Sequence, residues 1–300
     1  MGKINKIPTF AGLKNLNALL MNIYHTITET QSFVNECRKN KLRIGFVPTM
    51  GALHQGHLSL AAKAKAENDI LIASIFVNPI QFNNKEDLQK YPRTFEKDAE
   101  MLQSIGCDVI FAPSETEMYP EPDTSVYDFG MLDKVMEGKF RPGHFNGVAV
   151  VVKRLFDIVV PDNAYFGEKD YQQLQIIRAM VKQKNLAVKI IPCPIVRETD
   201  GLAMSSRNMR LTKKERTIAP FIYQTLSEAK EKATQLSPTE LTIWVLNQIQ
   251  TQKMMKAEYF EIVDTTTLLP ITNWNDCEHA IGCIAVFLGS VRLIDNVLLK

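Results

Sequence analysis

Strand-like and helix-like stretches alternate through the first two-thirds of the chain. Residues 70–77 form a continuous apolar run rich in β-branched side chains, as expected for a parallel strand buried on both faces. The valines of residues 146–160 would suit either a helix or a strand, and we predict a helix that Pro161 ends. Further strands are predicted at 109–112, 164–166 and 188–192, and further helices at 95–105 and 171–183. This alternation predicts βαβ units and therefore an α/β fold, with a Rossmann-like, doubly wound parallel sheet.

The pattern changes in the last third of the chain. Residues 212–236 read as one long, mostly polar helix, and a capping box at 237–240 opens a second helix that ends near residue 253. Three strands follow, the last two joined by the two-residue turn Gly289-Ser290, at 257–263, 281–288 and 291–298. This predicts a smaller α+β domain built on an antiparallel sheet, with the boundary near residues 196–200.

The predicted organisation has three parts. Residues 1–20 are a leader of unknown role, 21–196 form the Rossmann-like domain, and 197–300 form the small α+β domain, which would act as a lid. The leader lacks a clear signal-peptide core, and Met21 is an alternative native start to Met1.

Charge and cysteine usage exclude several classes of protein. Lys plus Arg total 35 against 33 Asp plus Glu, so the net charge of +2 gives no support for nucleic-acid binding. No segment approaches the roughly 20 apolar residues of a membrane span. The five cysteines are scattered without a CxxC pair, which favours reduced thiols and a cytoplasmic protein over a disulfide framework or a zinc site.

Residues 48–57, which read PTMGALHQGH, carry the strongest chemical signal. They lie between a strand-like run at 43–47 and a helix-like stretch at 58–67. A loop with glycine between a strand and a helix start is typical of phosphate sites, because free backbone N–H groups and the helix dipole point to one spot. His54 and His57, three residues apart, add further donors. A capping or packing pair is the alternative for these histidines, and no third ligand follows at a spacing suited to zinc.

Three more polar segments follow predicted strands, where ligands of doubly wound sheets bind. Gln81 follows the buried strand 70–77, and its alternative is a solvated turn residue. The segment 167–170 holds Lys169, suited to phosphate, although solvated charges at a helix start are common. Hydroxyls and an arginine in 204–208 suit phosphate, or form a polar linker. The basic segment 137–144 reads as a surface loop or a lid.

Together these segments resemble a known family. The HxGH and MSSRN segments resemble the HIGH and KMSKS pair of class I adenylate-forming enzymes. The fuller wording is similar to the pantothenate synthetase (pantoate–β-alanine ligase) family over roughly residues 21–298, in the motifs VPTMGALHQGHLSL, SIFVNPIQF, YPRT, RPGHFNGV, YFGEKDYQQL and VRETDGLAMSSRN. The resemblance implies a ligase of pantothenate biosynthesis that uses ATP and Mg²⁺, acts on pantoate and β-alanine, and forms homodimers.

The resemblance also implies roles for individual residues. His57 would be the proton donor, assisted by His54, with Lys169 and Arg207 completing the catalytic set. Gln81 and Gln173 would bind pantoate, and Asp98 would contact the metal. The implied ATP site comprises Met50, Gly51, Ala52, Leu53, His54, Gln55, Gly56, His57, Gly167, Glu168, Lys169, Asp170, Val196, Met204, Ser205, Ser206 and Arg207.

Two other functions compete with this one. The first is a different nucleotidyltransferase of the same superfamily with a phosphorylated acceptor, for which the two glutamines are poorly suited. The second is a non-catalytic nucleotide-binding protein, which would not need to keep His54, His57, Lys169 and Arg207 together.

Overall fold

The computed structural model describes residues 21–82 and 85–300, with the side chains of Lys85 and Asp87 left out. The predicted leader, 1–20, lies outside these residues. Six strands form one parallel sheet in the order β1-β4-β3-β2-β5-β6. They are β1 (Asn22–Tyr24), β2 (Ile44–Thr49), β3 (Ile70–Ile75), β4 (Val109–Phe111), β5 (Asn163–Gly167) and β6 (Lys189–Cys193).

Helices cover both faces of this sheet, as predicted for a doubly wound fold. Side chains alternate along β2, so that Phe46 packs into a core on one face and Val47 into a core on the other. The helices of this part are α1 (Ile27–Lys39), α2 (Gln55–Glu67), α3 (Lys85–Lys90), α4 (Phe95–Ser104), α5 (Glu115–Met118), α6 (Met136–Phe140), α7 (His144–Val159) and α8 (Tyr171–Gln183). The segment that could have been strand or helix is helix α7, and its valines are buried.

The last three strands of the chain form a separate antiparallel sheet, in the order β7-β8-β9. Leu288 pairs with Val291, which confirms the two-residue turn at Gly289-Ser290. Two helices pack on this sheet around a separate apolar core. The elements are α9 (Lys213–Ile218), α10 (Phe221–Lys232), α11 (Pro238–Gln250), β7 (Met255–Asp264), β8 (Ala280–Leu288) and β9 (Val291–Leu298).

Three local predictions were wrong. The predicted single helix 212–236 is two helices, because Pro220 has no backbone N–H and its ring crowds the carbonyl four residues earlier. Helix α2 begins at Gln55 rather than residue 58, because His54 caps it. The segment 137–144 is not a surface loop: it contains most of α6, and its Glu137 is buried against Arg292 of β9.

Within the part of the chain that the structure describes, no helix has both the length and the apolar character needed to cross a membrane.

Candidate active site

A cleft with an empty volume of about 900 Å³, its mouth included, lies at the carboxyl ends of β2, β5 and β6. The sheet order reverses between β2 and β5, and this switch point is where doubly wound sheets bind ligands. The cleft brings together residues from four distant segments: Pro48, Met50, His54, Gly56, His57, Leu60, Tyr91, Tyr165, Phe166, Gly167, Lys169, Asp170, Gln173, Pro194, Ile195, Val196, Met204, Ser205, Ser206 and Arg207.

The two histidines form the N-terminal cap of α2. The Nδ1 atom of His54 accepts from the backbone N–H of Gly56 at 3.1 Å. The Nδ1 atom of His57 accepts from the backbone N–H of His54 at 3.4 Å. A side chain at Gly56 would collide with the folded-back ring, since its Cβ would lie 2.8 Å from atoms of His54. The capping alternative is therefore correct, and it also fixes both rings at the cleft.

This capping fixes the tautomer of each ring. In a neutral imidazole one nitrogen accepts and the other carries hydrogen, so each ring with an accepting Nδ1 bears its hydrogen on Nε2. Burial, aided by the nearby ammonium of Lys169, lowers the pKa of His54 to about 4. Burial likewise lowers the pKa of His57 to about 3, aided by His54 and Lys169. Near neutral pH the free site therefore offers two neutral N–H donors.

Asp98 of α4 fixes the loop before α2 by hydrogen bonds. Its buried carboxylate accepts from the backbone N–H groups of Ala52 and Leu53, both at 2.8 Å. The N–H of Gly51 donates to the hydroxyl of Thr49 at 3.2 Å. The expectation that this loop offers free backbone N–H groups to phosphate is therefore wrong for these residues. Internal side chains already bind them, whereas the rings of His54 and His57 line the cleft.

These contacts also bear on the predicted metal role of Asp98. Besides the two N–H groups, its oxygens accept from the hydroxyl of Thr94 at 3.2 Å. Asp98 is 1% exposed, and its carboxylate closes a buried hydrogen-bond network that fixes the loop. Among residues 21–82 and 85–300, no group of three or more His, Cys, Asp or Glu side chains is arranged to hold a metal ion. The described side chains therefore offer no all-protein metal cage.

Lys169 extends from a 3-10 turn, Glu168–Asp170, that joins β5 to α8. Its side chain is 16% exposed, and its ammonium lies 3.7 Å from the carboxylate of Asp170. This separation is an ion pair too long for a strong hydrogen bond, so the ammonium keeps its capacity to bind an anion. Gln173, one turn further along α8, also faces the cleft.

The segment 204–208 forms the opposite wall of the cleft. Residues 196–204 make a small hairpin in which the backbone N–H of Met204 donates to the carbonyl of Val196 at 3.0 Å. A 3-10 turn, Ser206–Arg210, follows and is capped by Ser205, whose hydroxyl accepts from the N–H of Arg207 at 3.2 Å. The hairpin therefore presents Val196, two hydroxyls and a guanidinium on one wall.

Gln81 lies beneath this cleft rather than on its surface. It is 8% exposed, and its Nε2 atom lies 2.7 Å from the sulfur of Met50, which does line the cleft. The ring of His144 hydrogen-bonds to its carbonyl at 2.8 Å. Glycine is required at position 147, where a Cβ would lie 2.8 Å from the Gln81 Cα. Helix α7 thus holds Gln81 directly under Met50.

The predicted site residues divide into two groups. Most line the cleft, whereas a smaller set does not line it: Gly51, Ala52, Leu53, Gln55, Gln81, Glu168 and Asp98. Sequence reasoning missed several lining residues, among them the two tyrosines Tyr91 and Tyr165. Tyr91 hydrogen-bonds to Ser206, and burial raises the pKa of its phenol. Its place in the YPRT motif was the available signal, and Pro194 and Ile195 directly precede Val196.

Known proteins are similar to this chain in both sequence and structure. The family profile described as pantoate-beta-alanine ligase matches residues 22–298. Pantothenate synthetases from Porphyromonas gingivalis and Phocaeicola vulgatus are 53% and 54% identical, over 92% and 93% of this chain and 99% and 100% of theirs.

Solved structures agree with this assignment. A pantothenate synthetase from Thermus thermophilus superposes with a TM-score of 0.88 at 43% identity, covering 93% of this chain and 100% of its own. A pantoate-beta-alanine ligase from Francisella tularensis, solved with beta-gamma ATP and beta-alanine, gives 0.79 at 40% identity over 93% and 98%. This chain therefore belongs to the pantoate–β-alanine ligase family.

Proposed function

We propose that this chain joins pantoate to β-alanine in an ATP-dependent reaction that passes through pantoyl adenylate and releases AMP and pyrophosphate. One observation carries the proposal: His54 and His57, whose Nδ1 atoms are both engaged in the helix cap, line a cleft that is also lined by Lys169 and Arg207. A site with two neutral donors and two cations matches a triphosphate. The Francisella tularensis relative, solved with beta-gamma ATP and beta-alanine, supports both ligands.

The first step needs stabilisation of growing negative charge. The pantoate carboxylate attacks the α-phosphorus of ATP, a new oxygen–phosphorus bond forms, and the bond to pyrophosphate breaks. Donors fixed before the reaction stabilise this charge without reorganising. We assign this role to the Nε2–H groups of His57 and His54, and we assign Lys169 and Arg207 to the phosphates.

The remaining contacts to ATP are assigned by their place in the cleft. Val196 and the hairpin that follows it would hold adenine, and Met204, Ser205 and Ser206 would close over the triphosphate. The carboxylate of Asp170 lies 3.7 Å from the ammonium of Lys169 and would take a ribose hydroxyl. Gly167 lines the cleft beside them, and its lack of a side chain leaves room for the nucleotide.

Pantoate is assigned to the floor of the cleft, between Gln81 and Gln173. An amide donates and accepts, so two amides can recognise both a carboxylate and hydroxyls. A phosphorylated acceptor would favour Arg or Lys at these places, which supports pantoate over a phosphorylated substrate. Burial of Gln81 strengthens selectivity, because a ligand without the matching hydroxyl would leave its amide unpaired.

Mg²⁺ would be held mainly by ATP in this proposal. Mg²⁺ prefers oxygen ligands and is usually bound through substrate phosphates with only one or two carboxylates. The described residues offer no three-ligand cluster, and the carboxylate of Asp98 already accepts from Ala52, Leu53 and Thr94. When bound, Mg²⁺ would neutralise part of the triphosphate charge. We therefore assign Asp98 the role of fixing the loop before α2.

The second step forms the amide. The amine of β-alanine attacks the acyl carbon of pantoyl adenylate, the carbon–oxygen bond to AMP breaks, and the amine loses its extra proton. AMP is a good leaving group because its phosphate carries the departing charge. The same phosphate-binding donors that stabilise the first step would stabilise this departure.

The surrounding organisation is also proposed. We place the boundary between the two domains at 196/197, because the two sheets have separate apolar cores.

A homodimer is expected from the family resemblance, and sedimentation velocity of the purified protein would measure it. The cytoplasm is proposed because all five cysteines are free thiols.

The proposal is tested by pyrophosphate release from purified protein with ATP and Mg²⁺, adding pantoate and β-alanine separately and together. Sustained release that needs both, with AMP and pantothenate as products, is the expected result. Pantoate alone should give a single-turnover burst. ATP binding with no release under any combination would contradict the proposal and favour another acceptor substrate or a non-catalytic nucleotide-binding protein.

A further inference from the structure

The small sheet reaches directly into the loop that carries Lys169. Asn296 of β9 is buried, and its side-chain amide donates to the backbone carbonyls of Glu168 and Lys169, at 2.9 and 3.0 Å. These two carbonyls belong to the 3-10 turn from which the Lys169 side chain extends. A single amide from the other part of the molecule therefore fixes two successive peptide units beneath the ammonium.

The neighbouring residue reaches the opposite wall of the cleft. Asp295 accepts both guanidinium branches of Arg197, at 2.6 and 2.9 Å. Arg197 also donates to the carbonyl of Gly201 at 3.1 Å, and its guanidinium stacks 3.7 Å above the ring of Tyr223. Arg197 is part of the 196–204 hairpin that precedes the Ser205–Arg207 segment. Asp295 thus holds one wall while Asn296 holds the other.

The two side chains act from a rigid base. The backbone N–H of Asn296 donates to the carboxylate of Asp295 at 2.8 Å, and both residues lie in a strand paired along its length with β8. A lysine has a long, flexible side chain, so the backbone that carries it largely decides where the ammonium sits when an anion arrives. Fixing Glu168 and Lys169 therefore limits the positions that the ammonium samples.

We propose that Asn296 is a positioning residue for ATP. By holding the carbonyls of Glu168 and Lys169, it directs the Lys169 ammonium to the triphosphate. Asp295, acting through Arg197, holds the other wall of the cleft in place. The inference rests on the proposed function, because it assigns Lys169 to phosphate. It makes the small sheet part of the ATP site through contacts to backbone, without a side chain of that sheet touching the nucleotide.

The experiment measures the Kd of ATP by calorimetry, and the KM values for ATP and pantoate, in full-length variants. Asn296→Ala removes the amide, and Asn296→Asp replaces the donor with an acceptor that repels both carbonyls. We expect a rise of about tenfold in the ATP Kd and KM, the effect of losing two ordinary hydrogen bonds, with the pantoate KM unchanged. Val245→Ala, a cavity in the small apolar core, is the control for lost stability and should leave the ATP Kd unchanged.

A double-mutant cycle separates positioning from a general structural role. If Asn296 acts through Lys169, the Asn296→Ala effect on the ATP Kd should shrink to less than about twofold in a Lys169→Ala background. An equal effect in both backgrounds, or an unchanged Kd in folded Asn296 variants, would overturn the inference and leave the proposed function standing. An unchanged ATP Kd in Lys169→Ala alone would overturn the phosphate assignment together with the inference.

Discussion

The rings of His54 and His57 lie with their centroids 4.1 Å apart, and each uses Nδ1 to accept a backbone N–H at the start of α2. A helix cap and a donor pair are thus made from the same two side chains. The cap fixes which nitrogen carries hydrogen, and the shared burial keeps both rings neutral. The cap and the burial therefore set the tautomer and the charge of both rings before any ligand binds.

The two functions of His57 should be separable by substitution. Asn in place of His57 keeps an acceptor near the Nδ1 position for the His54 N–H but has no atom at Nε2. We expect His57→Asn to unfold close to the wild-type temperature and to lose on the order of 10²–10³ in the rate of pantoate-dependent ATP–pyrophosphate exchange, the same loss that we expect for His57→Ala. Near-normal exchange in His57→Asn would show that the ring acts only as a cap.

The same burial predicts a dependence of stability on pH. The folded pKa values of His54 and His57, about 4 and about 3, lie below the value of about 6.5 expected in the unfolded chain. Below pH 6.5 the unfolded chain therefore binds protons that the folded chain does not, and the free energy of unfolding should fall as pH drops toward 4. Urea titrations between pH 7 and pH 5 measure this window, in which few carboxylates titrate.

A control variant identifies the source of that slope. His54→Asn combined with His57→Asn should reduce the slope of the free energy of unfolding against pH. The slope should not vanish, because burial also lowers the pKa of His144 to about 4. Saturating ATP should flatten it too, since the phosphates favour the protonated rings. An unchanged slope in the double variant would place the proton linkage elsewhere.

The buried glutamine beneath Met50 should control pantoate affinity. Gln81→Ala should raise the KM for pantoate at least about tenfold while changing the ATP KM little, because an amide that recognises hydroxyls contributes mainly to that ligand. Gln173→Ala should behave alike. Gln183→Ala, on the same helix as Gln173 but exposed and bonded to the carbonyl of Asp128, is the matched control. Unchanged pantoate saturation in Gln81→Ala would remove it from the site.

Replacement of Asp98 distinguishes a loop brace from a metal ligand. Asp98→Asn puts an amide donor against the N–H of Ala52 or Leu53, so we expect a loss of ~1–3 kcal/mol in the free energy of unfolding. The Mg²⁺ concentration for half-maximal exchange should stay within about twofold, provided that ATP is saturating. A large rise in that concentration, at near-normal stability, would restore the metal assignment.

The interface between α6 and β9 depends on one partly buried arginine. Arg292 donates to both oxygens of Glu137, at 2.6 and 2.8 Å, and also pairs with Glu258. Arg292 lowers the pKa of Glu137 against the opposing effect of burial, so the pair stabilises the fold above about pH 4.5 and loses this contribution as pH falls through the lowered value.

Arg292→Met should therefore cost ~3–5 kcal/mol at neutral pH, because Glu258 loses its cation and Glu137 keeps only Arg141, whose guanidinium lies 3.8 Å away. The variant should regain part of this difference as the pH falls and Glu137 becomes protonated. Unfolding curves of both proteins at pH 7 and pH 5 measure the comparison. A difference that stays constant between those pH values would show that lost packing, and not charge, accounts for the change.

Local sequence determined most of the scaffold. The continuous apolar run that became β3, the capping box at Ser237 and the turn at Gly289-Ser290 each depend on neighbours within a few residues, so each is readable without the fold. The positions of the site loops followed as well, because parallel strands end at a common edge. The sequence motifs in these loops indicated the family, and the comparisons with known proteins confirm it.

Contacts distant in sequence decided the chemistry of the site. The N–H groups of the loop before α2 look free in the sequence, but Asp98, 45 residues from Leu53, binds two of them. The neutral state of His57 comes from burial by several segments, and the amide that holds Lys169 comes from Asn296, 127 residues away. Hydrogen-bond partners and burial are set by where the whole chain packs, so only the tertiary structure could decide which groups remain to meet a ligand.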